Sequence, residues 1–356
     1  MSSSKKSKGK HPLRRVVIAV GLVGVCAALI WGYVQYTRVY QSNVELGEKK
    51  SAYVCIPTGS DFASTMSIFK ESSYIKDFDS FERYANVRGY FNKIRPGRYK
   101  LVKGMSNHRL LNMLQSGTQE PVRLAINNIR TKEKLASIIG KNLEPDSLKI
   151  VTLLNSDSVA ASLGMTPETI ISLFIPNTYE MYWNISASDL IGRMKKEYDG
   201  FWSKKGRQHK ADSMSLTREQ VITVASIVDE ETNYSPEMPT IAGVYLNRIK
   251  KGMLLQADPT VKFAIGDPTI RRILNRHLVF DSPYNTYKYK GLPPGPIALP
   301  SIEAIDAVLN SHKTDYLYFC AKADFSGAHA FATNEADHLK NAREYQAALN
   351  KRNIKK

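Results

Sequence analysis

Residues 221–232 read VITVASIVDEET, and this stretch decides how the larger part of the chain is built. Placed at 100° per residue, its apolar side chains cover one broad arc of a helix, formed by Val221, Ile222, Val224, Ala225, Ile227 and Val228. Thr217 or Arg218 lies near the predicted start of this helix, and Asn233 with Pro236 marks its end. The pattern predicts a helix that buries a wide face.

The same helix carries acids at the border of the apolar arc. Glu230 falls opposite the arc, Glu231 falls inside it, and Asp229 lies inside its other edge. A carboxylate on an apolar face is costly unless it is paired, neutral or in a cleft. Desolvation would raise its pKa, as a general acid requires. The alternative is a structural glutamate satisfied by an arginine such as Arg248, and this helix alone favours that alternative.

The segments after this helix are stiff loops rich in proline and tyrosine. They read GMLLQADPTV (252–261), DSPYNTYKYKG (281–291) and LPPGPIALPS (292–301), followed later by HAFATN (329–334). Proline restricts φ, and tyrosine joins an apolar ring to a hydrogen-bonding tip. Tight turns between strands explain the prolines, but they explain less well the grouped polar residues Gln256, Asp258, Tyr284, Asn285, Tyr287 and His329.

The region before residue 217 divides into two parts. Residues 145–215 are mostly helical by pattern, around the aromatic run FIPNTYEMY at 174–182. Further upstream, residues 52–56 and 99–102 read as strands, with helices predicted between them. Strand, helix, helix, strand is the order of small glycan-binding LysM modules. The likeness is one of element order only.

Residues 16–36, VVIAVGLVGVCAALIWGYVQY, predict a transmembrane helix, because such a helix spans about 30 Å. Trp31, Tyr33 and Tyr36 lie at its far end, where aromatic rings favour the interface. The basic tail precedes the span, so the N-terminus is predicted in the cytoplasm. A cleaved signal peptide is the alternative, but the apolar stretch is long and no convincing cleavage site follows it.

Composition indicates a folded protein, since 43% of the 356 residues are hydrophobic and 23% are charged. We predict an α+β chain with a basic tail (1–15), a transmembrane helix (16–36), a polar stalk (37–50), a LysM-like βααβ module (51–122) and a catalytic domain (123–356). The net charge is +17, and six of these charges precede the apolar span. The basic excess suits a membrane surface or an anionic polymer. An exported chain would not meet nucleic acid.

No cofactor or metal is predicted. The sequence contains no Walker loop, no dinucleotide fingerprint, no HExxH and no clustered cysteines and histidines. Cys55 and Cys320 could meet in an oxidising compartment, although two separate buried thiols are the simpler explanation.

Several motifs together resemble the YceG-like family of endolytic murein transglycosylases. They are RPGRYKL (95–101), FIPNTYEMY (174–182), ASIVDEET (225–232), YLNR (245–248), LQADPTV (255–261), YNTY (284–287), GLPPGPI (291–297), YLYF (316–319) and the HAF and TN of 329–334. The likeness covers about residues 40–350. Several linked motifs in order along one chain are far more specific than any single motif.

The resemblance implies endolytic cleavage of peptidoglycan glycan strands between N-acetylmuramic acid (MurNAc) and N-acetylglucosamine (GlcNAc), leaving 1,6-anhydro-MurNAc ends. The family's catalytic glutamate, the second acid of its E-x-E-T pattern, falls on Glu231. The first acid is Asp229 here, which leaves its role open. Motif membership makes these residues candidates for binding substrate: Gln256, Asp258, Tyr284, Asn285, Thr286, Tyr287, His329 and Asn334. Asp229 and Arg248 are candidates for supporting Glu231.

The resemblance also implies an inner-membrane protein with a periplasmic catalytic domain, working near peptidoglycan polymerases. Two other functions stay open. A non-catalytic scaffold could bind the wall and recruit polymerases. A hydrolase would need a second carboxylate placed for water, and Asp229 could serve only if it faced the same cleft as Glu231.

Overall fold

The computed structural model describes residues 12–352 of the chain, apart from residues 268 and 271. These residues form two compact units. The first reaches Pro121 and includes Tyr182–Asn184, and the second comprises Val122–Met181 and the chain from Ile185 onwards. Both units combine helices with antiparallel strands, so the fold is of the mixed α and β class that the sequence predicts.

The first unit contains the βααβ order expected from the sequence. Strands β1 and β2 pair antiparallel, from Ser51 opposite Val102 to Ile56 opposite Gly97. Asp61 and Asp77 cap the two intervening helices through their side chains. The elements are α1 (Pro12–Tyr40), β1 (Ser51–Ile56), α2 (Phe62–Ser72), α3 (Phe78–Val87), a 3₁₀ turn (Tyr90–Asn92), β2 (Gly97–Val102) and α4 (Asn107–Ser116).

Helix α1 contains the apolar stretch and extends it at both ends. Over Leu13–Tyr40 it is long and apolar enough to cross a membrane. Its large apolar side chains are exposed, including Leu22, Ile30 and Trp31. A helix that is apolar all round and left uncovered is compatible with a single-pass membrane anchor.

The structure corrects the predicted stalk at 37–50. Helix α1 continues to Tyr40, and the chain then joins the first unit directly. Val44 and Leu46 are only 1% and 7% exposed in its core. The side-chain amide of Asn43 donates to the side-chain oxygen of Asn107 at 2.7 Å. In an extended segment, every second side chain points to the same side, so alternating apolar residues can enter a core even when the segment is polar overall. The prediction of a stalk considered only the overall polarity.

The second unit is predominantly helical. Its elements are β3 (Val122–Ile126), α5 (Lys132–Asn142), α6 (Ser147–Leu154), α7 (Asp157–Ser162), a 3₁₀ turn (Ile170–Leu173), β4 (Asn177–Met181), α8 (Ala187–Ser203), α9 (Arg207–Ser213), α10 (Arg218–Glu231), a 3₁₀ turn (Ser235–Glu237), α11 (Met238–Lys250), α12 (Asp258–Ile265), α13 (Asn275–Leu278), α14 (Ile302–Leu309), β5 (Tyr318–Ala321), β6 (His329–Ala332) and α15 (Glu335–Lys351). Strands β3 and β4 pair antiparallel, as do β5 and β6.

Helix α10 is the centre of the second unit. Thr217 and Gln220 form a reciprocal capping box at its start. All residues from Val221 to Val228 are buried, including the polar Thr223 and Ser226, which do not belong to the six-residue apolar arc. Helices α11, α12 and α14 pack against α10. The helix is therefore buried on all sides rather than on one face, and this packing holds its last turn in a fixed position.

The proline-rich segment after residue 291 is tied to α10. The backbone N–H of Ile297 donates to Ser226 Oγ at 3.1 Å, and Ser226 Oγ in turn donates to the Thr223 carbonyl. Gly295 passes so close to the Glu168 backbone that a Cβ would lie 2.3 Å from its carbonyl oxygen. A side chain at residue 295 would clash with the Glu168 backbone and displace this loop.

Candidate active site

A cavity of about 310 Å³ opens at the last turn of α10, within the second unit. Residues from several parts of the fold line it, including α10, α11, the segment leading into α12, β5 and α15. They are Glu231, Tyr245, Arg248, Leu255, Gln256, Asp258, Tyr287, Tyr318, Phe319 and His338. Four of the sequence-predicted site residues (Glu231, Gln256, Asp258 and Tyr287) thus come together, along with Arg248.

Glu231 is the acid whose environment is most unusual in this cavity. Tyr245 donates its hydroxyl to Glu231 Oε1 at 2.8 Å. Burial raises the pKa of Glu231 to about 7, and the negative charges of Asp258 and Glu230 add to this effect. The hydrogen bond from Tyr245 opposes it, because it favours the charged form. Glu231 therefore exchanges a proton near neutral pH.

Tyr245 is itself held in place by its neighbours. Its ring meets the Phe319 ring edge-on, with centroids 5.9 Å apart and planes at 87°. Burial raises the pKa of Tyr245 well above its ordinary value, and the charge of Glu231 adds to the rise. The tyrosine hydroxyl consequently stays protonated and remains a hydrogen-bond donor to Glu231.

Asp258 is a second carboxylate in the cavity. It stands in the first turn of α12, where the helix dipole favours a negative charge. Tyr287 donates its hydroxyl to Asp258 Oδ1 at 2.6 Å. Burial and this hydrogen bond raise the pKa of Tyr287. The pair forms a polar wall of the cavity that includes Glu231.

Arg248 does not satisfy Glu231, contrary to the structural alternative considered from the sequence. Its guanidinium donates to the carbonyls of Leu317 at 2.6 Å and Leu255 at 2.8 Å, and also to Leu254. It reaches Gln256 Oε1 at 3.2 Å. At 7% exposure, Arg248 joins separate segments of the cavity wall through their backbone oxygens.

Gln256 adopts a left-handed backbone conformation, with φ of 54°. This conformation costs a non-glycine residue about 1 kcal/mol or more. The backbone N–H of Gln256 donates to the Thr286 carbonyl at 3.1 Å, which holds the turn. Strain of this kind beside a cavity is typical of a functional site.

Other residues singled out in the sequence organise the surrounding loops. Asn285 is fully buried and donates to the carbonyls of Leu278 and Phe280. Thr286 Oγ1 accepts from the Ala257 N–H at 3.0 Å and lies 2.8 Å from Thr260 Oγ1. These contacts join the YNTY segment to the turn that carries Gln256 and Asp258.

Three further predicted residues have partners outside the cavity lining. The Tyr284 ring packs on Phe263 at 4.8 Å. His329 Nδ1 lies 2.9 Å from Glu237 Oε2, and the His329 backbone N–H donates to the same carboxylate. Asn334 caps α15. All three hold loops or helices that border the site.

Asp229 points away from the cavity. Its carboxylate accepts from the Ser301 hydroxyl at 2.6 Å and from the Ser301 backbone N–H at 3.1 Å. Ser301 caps α14 in turn. Asp229 therefore fixes the proline-rich segment on α10, and among the described residues Asp258, rather than Asp229, is the second acid in the cavity with Glu231.

Sequence reasoning missed five lining residues: Tyr245, Leu255, Tyr318, Phe319 and His338. Tyr245 belongs to the YLNR motif and lies three residues before Arg248, a spacing that puts both on one helix face. That spacing is a usable signal. Nothing in the local sequence connects Tyr318 or His338 with Glu231, because these residues are about 90 or more positions apart.

The arrangement suits acid–base chemistry with one principal acid. Within residues 12–352 as described, no cluster of histidine, cysteine, aspartate or glutamate could hold a metal ion. A carboxyl group that titrates near pH 7 can give up a proton and recover it in one turnover. The tyrosines around it can stack on a sugar and bind its hydroxyls.

The fold and cavity thus define a mixed α and β protein with a buried acid in a tyrosine-lined cleft. The family model of the YceG-like family matches residues 54–344, and this chain belongs to that family. A crystal structure of a YceG-like protein from Listeria monocytogenes is similar, with a TM-score of 0.55 and 27% identity. The match covers 82% of this chain and 99% of that one.

Curated relatives of this chain carry the name endolytic murein transglycosylase. The protein from Bacillus subtilis (strain 168) is 29% identical over 340 residues, which cover 91% of this chain and 93% of the relative. The protein from Streptococcus pneumoniae (strain D39) is also 29% identical, over 88% of this chain. This chain matches only 62% of that longer relative.

Proposed function

We propose that this protein is a membrane-anchored endolytic lytic transglycosylase that cuts the MurNAc–GlcNAc bond within nascent peptidoglycan strands. The cut leaves 1,6-anhydro-MurNAc ends and terminates strand elongation. The names of the relatives support this activity, since the similarity runs along most of the chain. The observation that carries the proposal is Glu231, a carboxyl group with a pKa of about 7 in a cavity lined by tyrosines.

In the proposed mechanism Glu231 acts twice. Protonated Glu231 gives its proton to the glycosidic oxygen, and the bond from that oxygen to C1 of MurNAc breaks. The carbonyl of the sugar's own N-acetyl group stabilises the positive charge that develops at C1, as in substrate-assisted glycosidases. Glu231, now a carboxylate, takes the proton of the C6 hydroxyl, whose oxygen bonds to C1. No water is consumed, and Glu231 ends protonated.

Neighbouring residues support both roles of Glu231. The negative charge of Asp258 raises the pKa of Glu231 and so favours the acid form. The hydroxyl of Tyr245 stabilises the carboxylate that forms after proton transfer. Gln256, Asp258 and Tyr287 are the predicted substrate-binding residues that line the cavity, and we assign them to the sugar.

The main competing reaction is hydrolysis of the same bond. Asp258 lies in the cavity with Glu231 and could activate a water molecule. Against this, Asp258 Oδ1 already accepts a 2.6 Å hydrogen bond from the Tyr287 hydroxyl, so this oxygen is occupied by a protein donor rather than by water. The two reactions differ in their products, because a hydrolysed strand is heavier by one water than an anhydro-ended strand.

Product masses test the proposal. The full-length protein in detergent is incubated with purified glycan strands, alongside Glu231→Gln and the matched control Glu230→Gln. Glu230 is paired with Arg130 at 2.6 Å, so its substitution should leave cleavage largely intact. We expect anhydro-ended fragments from the wild type and the control, and none from Glu231→Gln. Hydrated ends, or cleavage by folded Glu231→Gln, would refute the assignment. Strand binding without cleavage by the wild type would favour a scaffold.

The proposal includes the arrangement around the membrane. Helix α1 anchors the chain in the inner membrane, with residues 1–15 in the cytoplasm. Both folded units lie in the periplasm, near the polymerases. The βααβ part of the first unit acts as a LysM-like glycan-binding module. Protease added to intact spheroplasts should digest both units. Protection of both units from the protease would mean that they lie in the cytoplasm, which contradicts the proposed orientation.

A further inference from the structure

His338 lies in the wall of the proposed catalytic cavity, although no motif pointed to it. It belongs to the first turns of α15, which begins after the HAFATN segment at the cap residue Asn334. It lines the same cavity as Glu231, Gln256 and Asp258. The last long helix of the chain thereby supplies a titratable side chain to the site.

The ring of His338 is held in a defined orientation. It stacks on the Tyr318 ring, with centroids 5.2 Å apart and planes at 21°. The guanidinium of Arg248 lies over the same tyrosine, 5.1 Å from the ring centroid. Arg248 is anchored to backbone carbonyls, so the arginine, tyrosine and histidine form a supported stack.

The two ring nitrogens of His338 lie in different environments. Nδ1 is buried and has no hydrogen-bond partner among the residues that the structure describes. A proton on Nδ1 would therefore be a buried N–H without an acceptor, which folded proteins avoid more strictly than an unpaired acceptor. The proton of the neutral ring belongs on Nε2.

The surroundings also disfavour a second proton on this ring. Burial lowers the pKa of His338, the positive charge of Arg248 lowers it further, and Glu335 opposes the change only in part. The imidazole is neutral at pH 7, with its hydrogen on Nε2. Nε2 forms no hydrogen bond to any residue in the described part of the chain. Unlike Nδ1, it is not buried. It is left as a donor.

We infer that His338 is a substrate-contacting residue of this site, whose neutral Nε2–H donates a hydrogen bond to an oxygen of the glycan strand. The ligand class follows from the proposed function, on which the inference rests. Hydroxyl groups, ring oxygens and N-acetyl carbonyls give the strand many uncharged acceptors. A neutral donor of fixed direction suits such a ligand, whereas a histidinium would suit phosphate or carboxylate.

Kinetics on the full-length protein test the contact. We expect His338→Ala and His338→Phe to raise KM for glycan strands by about 3- to 10-fold, the value of one neutral hydrogen bond, with a smaller change in kcat. Phe keeps the stack on Tyr318 but has no donor. His338→Gln should recover part of the loss, because its amide can donate. His209→Ala, on the exposed face of α9, is the matched control and should behave as the wild type.

Nitrogen NMR of ¹⁵N-histidine-labelled protein tests the tautomer without relying on catalysis. Glu231→Gln protein at pH 7 should show His338 as the Nε2–H form, and its Nε2 signal should move when glycan strands are added. An Nδ1–H tautomer, a histidinium at pH 7, or an unmoved signal in strand-bound protein would overturn the inference. Unchanged KM in all three His338 variants would do the same. If strands bind and shift the signal but the wild type does not cut them, the proposed function fails and the contact stands.

Discussion

Substitution of Glu231 by glutamine should stabilise the protein above neutral pH while it removes the proposed activity. The free energy of unfolding includes the cost of keeping Glu231 ionised in a buried position. Glutamine has nearly the same shape, has no charge to desolvate, and its carbonyl can still accept the hydrogen bond from Tyr245. The gain in the free energy of unfolding should therefore depend on pH, whereas a gain from better packing alone would be the same at every pH.

The size of the effect follows from the pKa of Glu231, which is about 7 in the folded chain against an ordinary value of 4.5. Because the folded value is raised, the folded state binds the proton more tightly than the unfolded chain does. The resulting stability is fully present below pH 4.5 and is lost as the pH rises through about 7. At about 1.4 kcal/mol for each pH unit, the loss is about 3.5 kcal/mol at most.

Urea unfolding of the full-length protein at pH 5 and pH 8 measures this difference. The stability of Glu231→Gln relative to the wild type should be about 2–3 kcal/mol more favourable at pH 8 than at pH 5. Glu230→Gln is the control: Glu230 is ion-paired with Arg130, and its charge is the smallest cause of the raised pKa of Glu231, so its gain at pH 8 should be much smaller. An equal difference between Glu231→Gln and wild type at both pH values would refute a raised pKa at this residue.

Three further outcomes are expected. In Tyr245→Phe the carboxylate of Glu231 loses its donor, so the fall of kcat/KM at alkaline pH, which begins near pH 7 in the wild type, should move to higher pH. Asp258→Asn removes a negative charge beside Glu231 and should move the same limb to lower pH; a shift in the same direction for both variants would contradict the assigned electrostatics. Asp229→Ala leaves Ser301 without its acceptor and should lower the free energy of unfolding by about 1–2 kcal/mol. Mass spectrometry of its products should still show anhydro ends.

The position of Glu231 shows how much of a functional site the local sequence pattern predicts. Helical periodicity alone put this acid on the apolar arc, since the angle between residues in a helix is fixed. The same wheel gave Asp229 an edge position and could not say what it met there. Contact with Ser301, 72 residues further along the chain, is a tertiary event that no local spacing encodes.

The loops of the site were predictable in kind but not in detail. Their proline and tyrosine content indicated rigid polar surfaces around residues 256–258 and 284–287. In the structure these residues have two different roles, since Gln256, Asp258 and Tyr287 line the cavity while Asn285 and Thr286 bind backbone groups behind it. Asparagine and threonine serve both purposes equally well, so residue type does not separate them.

The sequence by itself determined the apolar span at 16–36, the mixed fold class, the family likeness and the acid at Glu231, because each depends on composition, periodicity or ordered motifs. Only the tertiary structure decided that residues 42–46 pack into the first unit, that Arg248 serves backbone carbonyls, and that Tyr245 and His338 join Glu231. The helix around residues 221–231 illustrates both sides. Its periodicity indicated a buried face, but helices and loops distant in sequence enclosed it, and their packing set the burial that raises the pKa of Glu231.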